Sequence, residues 1–202
     1  MATFKINGKN FATQSGTGEA TIHSDVVFPS GIIVNTFHNE FNNSTPITAT
    51  MAAGGTASNP DSLTGDNLTT GGRVFVKVVS KTVNITSGNG VIVSGWCGQG
   101  STTRSSKGGH GFVFKVPDSS GNNRAYEGGN YNHYAATDSP SYPNDWSGTI
   151  YVGPGATNSS DTVGTGDIEI AIYGYAYNES GGNASQTMRC RRAQVVIYEV
   201  QA

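Results

Sequence analysis

Four histidines, His23, His38, His110 and His133, are the residues best suited to hold a metal ion, and their spacing argues against it. No His-x-His or His-Glu-x-x-His pattern sets two rings on one ion, so structural or surface roles are expected for all four. A serine nucleophile of the Gly-x-Ser-x-Gly type is absent, because no serine has glycine both two places before and two places after it. Carboxylates for glycoside cleavage would have to converge from distant strands, and nothing in the chain selects among Asp25, Glu40, Asp61, Asp66, Asp118 and Glu127. The acidic stretches PDSLTGD (60–66) and PDSSGNN (117–123) carry oxygen ligands that suit calcium but lack the spacing of a known loop. The glycine clusters GWCGQG (95–100) and GTG (164–166) precede no helix that would aim amides at a phosphate, and they read as turns. The expectation is a non-enzymatic protein with no metal site and no cofactor.

Binding chemistry is better represented. Between Gly98 and Gly148 a long loop is expected, with Tyr126, Tyr131, His133, Tyr134, Tyr142 and Trp146 set among Gly, Asn, Ser and Pro. Rigid rings beside adaptable polar side chains suit recognition of a sugar or of another subunit. The alternative is that the rings fold inward and cover the end of the domain, since a long loop must bury something to stay ordered. Arg189, Arg191 and Arg192 form a basic cluster, and strict alternation would put Arg189 and Arg191 on one face and Arg192 on the other. The cluster reads either as a salt-bridged sheet edge or as a contact for an acidic neighbour. Cys97 and Cys190 lie in two strand-like runs that could meet across a sheet, but two separate reduced thiols are expected, with no metal spacing between them.

These residues are positioned by strands. DIEIAIYGYAY (167–177) alternates strictly, with Ile168, Ile170, Ile172, Gly174 and Ala176 on one face and Glu169, Ala171, Tyr173, Tyr175 and Tyr177 on the other. The aliphatic face belongs in a core, whereas the tyrosine row either packs under a second layer or meets a partner. Further strands are expected at 73–86, 90–97, 111–116, 149–152 and 191–200, each a β-branched or aromatic run bounded by turn residues. Residues 26–37 read as two short strands broken at Pro29 and Gly31, and 42–72 as loop with one short strand, ITATM. No segment shows the spacing of an amphipathic helix. The fold expected is all-β, an antiparallel sandwich of jelly-roll or related topology, with a closed barrel as the alternative. Asn7-Gly8 favours a tight hairpin, so residues 1–25 are read as an N-terminal hairpin or arm and 26–202 as the sandwich domain. Phe4, Ile6 and Phe11 on that arm are candidate assembly contacts.

Charged residues are only 13% of the 202, while Gly, Ser, Thr and Asn fill roughly 90 positions, which implies a neutral polar surface. A net charge of -2 supplies no field to draw in nucleic acid or an anionic membrane. No window approaches the length of a membrane span, and the N-terminus lacks the pattern of a signal peptide, so synthesis in a cytoplasm is expected. Asn-x-Ser/Thr sequons, such as those at Asn67, Asn84 and Asn183, are what this composition produces by chance.

The order of MATFKINGKNF, VVFPSGIIVNTF, the strand ending near Gly90 to Trp96 and the closing QVVIYEVQA resembles a group of small all-β virion proteins of marine and cyanobacterial tailed phages. The resemblance implies a virion component made in the host cytoplasm: a capsid decoration or cement protein, a head fibre, or a tail-fibre-type receptor- or carbohydrate-binding module. It implies other virion proteins as partners, a homo-oligomer with a trimer favoured, and a host glycan as partner of the aromatic loop. The modest size favours a decoration subunit.

Overall fold

The computed structural model describes residues 2–6, 9–14, 21–22, 30–51, 63, 65–70, 73–100, 108–133, 144–156, 162–178 and 186–202. Among the described residues twelve strands run in chain order: β1 Ala2–Ile6, β2 Lys9–Gln14, β3 Thr21–Ile22, β4 Ile33–Met51, β5 Asn67–Thr70, β6 Arg73–Ile85, β7 Gly90–Gly100, β8 Gly108–Pro117, β9 Asn123–His133, β10 Asn144–Val152, β11 Gly166–Asn178 and β12 Gln186–Val200. Among the described residues no helix is long and apolar enough to cross a membrane.

Eight strands pair in a nested order, β8 with β9, β7 with β10, β6 with β11 and β4 with β12, all antiparallel. That is one long double ribbon closed at the β8–β9 turn. Such a ribbon cannot bury a face by itself, and it curls so that β12 also pairs with β7, and β11 with β8. The result is two sheets, β10-β7-β12-β4 and β5-β6-β11-β8-β9, with β5 added at an edge. This nesting is the strand order of a double-sheet jelly roll. The expected antiparallel sandwich is therefore present.

The core lies between the sheets. Ile168, Ile170 and Ile172 of β11 face Val91, Val93 and Cys97 of β7 and Val195 and Ile197 of β12, none more than 9% exposed. Two glycines let the layers approach. A Cβ on Gly95 would stand 2.5 Å from the Ile172 side chain, and one on Gly148 of β10 would meet the carbonyl oxygen of Gly128 in β9, where the edges of the two sheets touch.

β1, β2 and β3 form a separate three-stranded sheet, with Ile6 opposite Lys9 in the first hairpin. Its strands pair with none of the sandwich strands among the described residues. The expected boundary at residue 25 falls outside the described residues.

Four expectations are corrected. The stretch from 42 onward is not loop, because β4 continues to Met51 opposite β12. Its polar sequence conceals a ladder interrupted where Asn43 accepts the Thr45 N–H at 3.1 Å, next to Pro46, which has no N–H to contribute. The supposed loop from Gly98 to Gly148 contains β9 and most of β10. Cys97 and Cys190, expected as separate thiols, are joined as a disulfide between the hydrogen-bonded neighbours β7 and β12, with Cα atoms 6.3 Å apart and both residues wholly buried. Finally, Arg192 does not oppose Arg191. The register slips between Cys190 and Arg192, so that Cys190 and Ala193 both face inward while Arg191 and Arg192 are both exposed.

Candidate functional site

The tyrosine row on the outer face of the five-stranded sheet is covered by the chain's own residues. Tyr173, Tyr175 and Tyr177 are at most 5% exposed and pack with Phe75, Val113, Leu63 and Leu68. The alternating strand places the rings on this face, and β6 supplies Phe75 and Arg73 opposite Tyr175 and Tyr177. The Arg73 guanidinium stands 4.6 Å from the centre of the Tyr175 ring and 5.1 Å from that of Tyr177. Tyr173 donates its hydroxyl to the Gly65 carbonyl at 2.5 Å, and Tyr175 donates to Glu127. Burial, then that bond to Glu127, raises the Tyr175 phenol above its ordinary range. Beyond the rings, Lys77 bridges Asp66 at 2.6 Å and Glu169 at 3.0 Å, and Lys115 reaches Glu169 at 2.5 Å. The Asp66 carboxylate, opposed by burial and reinforced by Glu169, holds the Lys77 ammonium above its usual range. Burial pushes the Glu169 carboxyl up, but hydrogen bonds from Lys115 and Lys77 outweigh it and hold the group at about 2.

The aromatic residues expected to form a recognition loop are dispersed. Tyr126 lies on β9, partly buried against the inner core, and Trp146 lies on β10, 6% exposed, its ring 5.0 Å from that of His110. Both turn inward, and edge strands, not a loop, carry them. Tyr131 and His133 take positions on β9 opposite His110 and Gly108, and their side chains lie outside the described ones. Tyr134 and Tyr142 lie outside the described residues altogether. Phe4, Ile6 and Phe11 stand on β1 and β2, with Phe4 opposite Ala12. Among the described residues Arg189, Arg191 and Arg192 form no salt bridge, and all three are exposed.

The PDSSGNN stretch is an aspartate-centred turn. Asp118 accepts the backbone N–H groups of Ser120 and Asn122 at 2.9 and 2.8 Å, the Asn122 amide at 3.1 Å and the Arg124 guanidinium at 2.8 Å. Burial raises its carboxyl, and these donors together reverse the effect and hold it at about 2. Donors thus occupy both oxygens of the Asp118 carboxylate. Asp66 and Glu127 are likewise engaged with Lys77 and Tyr175. No three of His, Cys, Asp and Glu come together among the described residues.

Among the described residues the outer face of the four-stranded sheet is uncovered. Register sets Glu40, Gln194, Trp96 and Ser147 in one row across β4, β12, β7 and β10, and Asn42, Arg192 and Gly98 in the next. Further along come Ser94 with Thr149, whose hydroxyls bond at 2.9 Å, and Ile92 with Tyr198 and Tyr151, the last 39% exposed. Trp96 is partly exposed and donates its indole N–H to the side-chain amide oxygen of Gln194 at 3.3 Å. Beside it lies a recess of about 180 Å³ lined by Glu40, Phe41, Asn42, Trp96, Arg192 and Gln194, floored by Ala193. A larger cavity of about 520 Å³ sits where the β6–β7, β8–β9 and β10–β11 connections meet, lined by neutral residues such as Asn89, Ser119, Pro154, Thr162 and Val163. Trp96 was missed as a site residue although its signal is present: alternation in GVIVSGWC points Ile92, Ser94 and Trp96 away from Val91, Val93 and Cys97.

No protein-family model matches the chain, and no curated protein matches it. Among solved structures it is similar to that of infectious bursal disease virus Gx strain, with a TM-score of 0.42 and 14% identity over 95% of this chain and 41% of that one. It is similar also to the VP2 subviral particle of infectious bursal disease virus (TM-score 0.40, 8% identity, 95% and 42% of the two chains). Against the enzymatically active domain of bacteriophage CBA120 tailspike protein 4 the TM-score is 0.26, with 11% identity over 81% and 20%. The chain spans less than half the length of each of these structures. At these scores the jelly-roll assignment rests on the strand order alone.

Proposed function

We propose that this protein is a non-enzymatic structural component of a bacteriophage particle, a capsid decoration or head-fibre subunit that assembles as a homotrimer. The observation that carries the reading is a jelly roll complete in its own strands, accompanied by a three-stranded N-terminal sheet that shares no ladder with it among the described residues. A sandwich that satisfies its own core leaves such an appendage free to bond a neighbour. The jelly roll is a recurrent architecture of capsid building blocks, though fold alone does not assign function. The neutral, hydroxyl- and amide-rich composition supports an exposed particle component over a partner of nucleic acid or membrane.

The test uses the full chain. Light scattering of the purified protein is expected to give three times the 21.0 kDa chain mass, and co-sedimentation with phage capsids lacking the protein is expected to saturate. Phe4→Asp with Ile6→Asp should abolish sedimentation without changing the melting temperature. A protein that never binds capsids, or a double variant that binds like wild type, would overturn the reading.

A further inference from the structure

We propose that the recess beside Trp96 is a saccharide-binding site that takes one pyranose ring of a neutral glycan. One departure from regular strand geometry and one missing side chain build it. The slip between Cys190 and Arg192 turns Arg192 outward, where a regular strand would point it into the core. Gly98, opposite Arg192, leaves room for the indole: a Cβ there would stand 2.5 Å from Cζ3 and 2.9 Å from Cε3 of Trp96, and 2.5 Å from Oδ1 of Asp145. The ring is thus seated over Gly98 and tied at its N–H by Gln194 at 3.3 Å. A ring fixed in this way is a platform that loses little entropy when a ligand settles on it.

The lining matches a sugar on three counts. A pyranose has an apolar C–H face and a rim of hydroxyls that both donate and accept; Trp96 supplies the apolar contact, and Glu40, Asn42, Gln194 and Arg192 supply acceptors and donors around it. Glu40 and Arg192 balance one another in formal charge, which suits a neutral polar ligand over an anion. The volume, about 180 Å³, lies below the range of roughly 300–1,000 Å³ typical of sites for larger ligands and admits a single ring. All these residues stand on strands β4, β7 and β12, so the constellation is held by the ladder. The site is indifferent to where on a particle the chain sits, so its failure and that of the capsid reading are separate outcomes.

The test is a titration of the full chain with methyl glycosides of glucose, galactose, mannose and N-acetylglucosamine, with methyl glucuronide and N-acetylneuraminic acid as acidic arms. It is read by saturation-transfer NMR and by tryptophan fluorescence; the chain has only 2 tryptophans, and the other, Trp146, is buried. At least one neutral glycoside is expected to bind with a Kd of about 1 mM. Trp96→Ala should abolish that binding, and Gln194→Ala and Glu40→Ala should each weaken it about tenfold with the melting curve unchanged. The two polar variants decide the matter if Trp96→Ala does not fold. No neutral glycoside bound at about 50 mM, binding of the acidic sugars alone, or binding that survives the polar variants would each overturn the proposal.

Discussion

Replacing Glu199 by alanine is expected to cost about 3 kcal/mol of stability, because a wholly buried carboxylate there fastens the end of one sheet to the turn that leads into it. Its Oε2 accepts the Asn35 amide of β4 at 2.6 Å, and its Oε1 accepts the Thr86 backbone N–H at 2.8 Å and the Asn89 amide at 2.7 Å, both in the β6–β7 turn. Burial alone would raise this carboxyl; the bonds from Asn35, Thr86 and Asn89 outweigh it and hold it below its ordinary 4.5. A hydrogen bond to an ionised acceptor contributes about 1.5–3 kcal/mol net, so losing all of them at the low end is worth about 4.5 kcal/mol. Water reaches the exposed Asn35 and Thr86 and the half-exposed Asn89 once the carboxylate is gone, which reduces the loss to about 3 kcal/mol. For a chain of this length that is a fall in Tm of about 6–12 °C. Glu199→Gln keeps a carbonyl for the two turn donors and should cost only about 1 kcal/mol. The sign of the pH dependence follows from the lowered folded pKa. The ionised group stabilises fully above its unfolded value of 4.5, and that contribution is lost as pH falls through the lower folded value. Thermal denaturation of wild type and Glu199→Gln should therefore show a constant gap above about pH 5 that closes on acidification. An alanine variant within about 1 kcal/mol of wild type, or a gap that persists to about pH 2, would refute the reasoning.

Gly148→Ala is expected to be the most damaging small substitution, costing about 3 kcal/mol or more, because the added methyl meets the Gly128 carbonyl and must part β10 from β9; chemical denaturation should show it, and a near-neutral result would place the sheet edges further apart. Tyr175→Phe removes the hydroxyl that a buried ring donates to the exposed Glu127 carboxylate and should cost about 1 kcal/mol, whereas Tyr151→Phe, whose exposed hydroxyl donates to the Pro154 carbonyl, should be near neutral in the same assay. Reduction of the Cys97–Cys190 disulfide, which closes a span of 93 residues, should lower stability by about 2–4 kcal/mol, with thiol titration in denaturant reporting no free cysteine before reductant.

Much of the sandwich was legible because its central strands carry one aliphatic face each. RVFVKVVSKTVNI, GVIVSGWC and DIEIAIYGYAY declare themselves by alternation, and each proves to be an interior strand of a sheet or its direct neighbour. The edge strands did not. β9 reads NRAYEGGNYNH because its inward position at Gly128 faces the Phe112 ring and must stay empty, which erases the apolar repeat. The second half of β4 was hidden by Asn43 and Pro46, whose turn chemistry marks an interruption in the ladder and not the end of a strand.

The open face was illegible for a related reason, and the reason bears on what that face is for. A regular strand from Met188 would bury Arg192 and expose Ala193, and only the slip at Cys190 reverses them. A guanidinium turned into that core would stand among Val195, Ile197 and Trp146 without a counter-charge, so the slip is required for folding as well as for the recess. Gly98 shows the same double demand, since any side chain there would collide with both the indole and Asp145. Deleting Arg191 tests this reading of the slip: it removes the extra outward residue and restores strict alternation with Cys190 and Ala193 inward and Arg192 outward, so the cysteines should stay paired and the Trp96 recess should survive. A folded deletion variant in which a thiol titrates freely would refute that reading, because it would put Cys190 on the outer face.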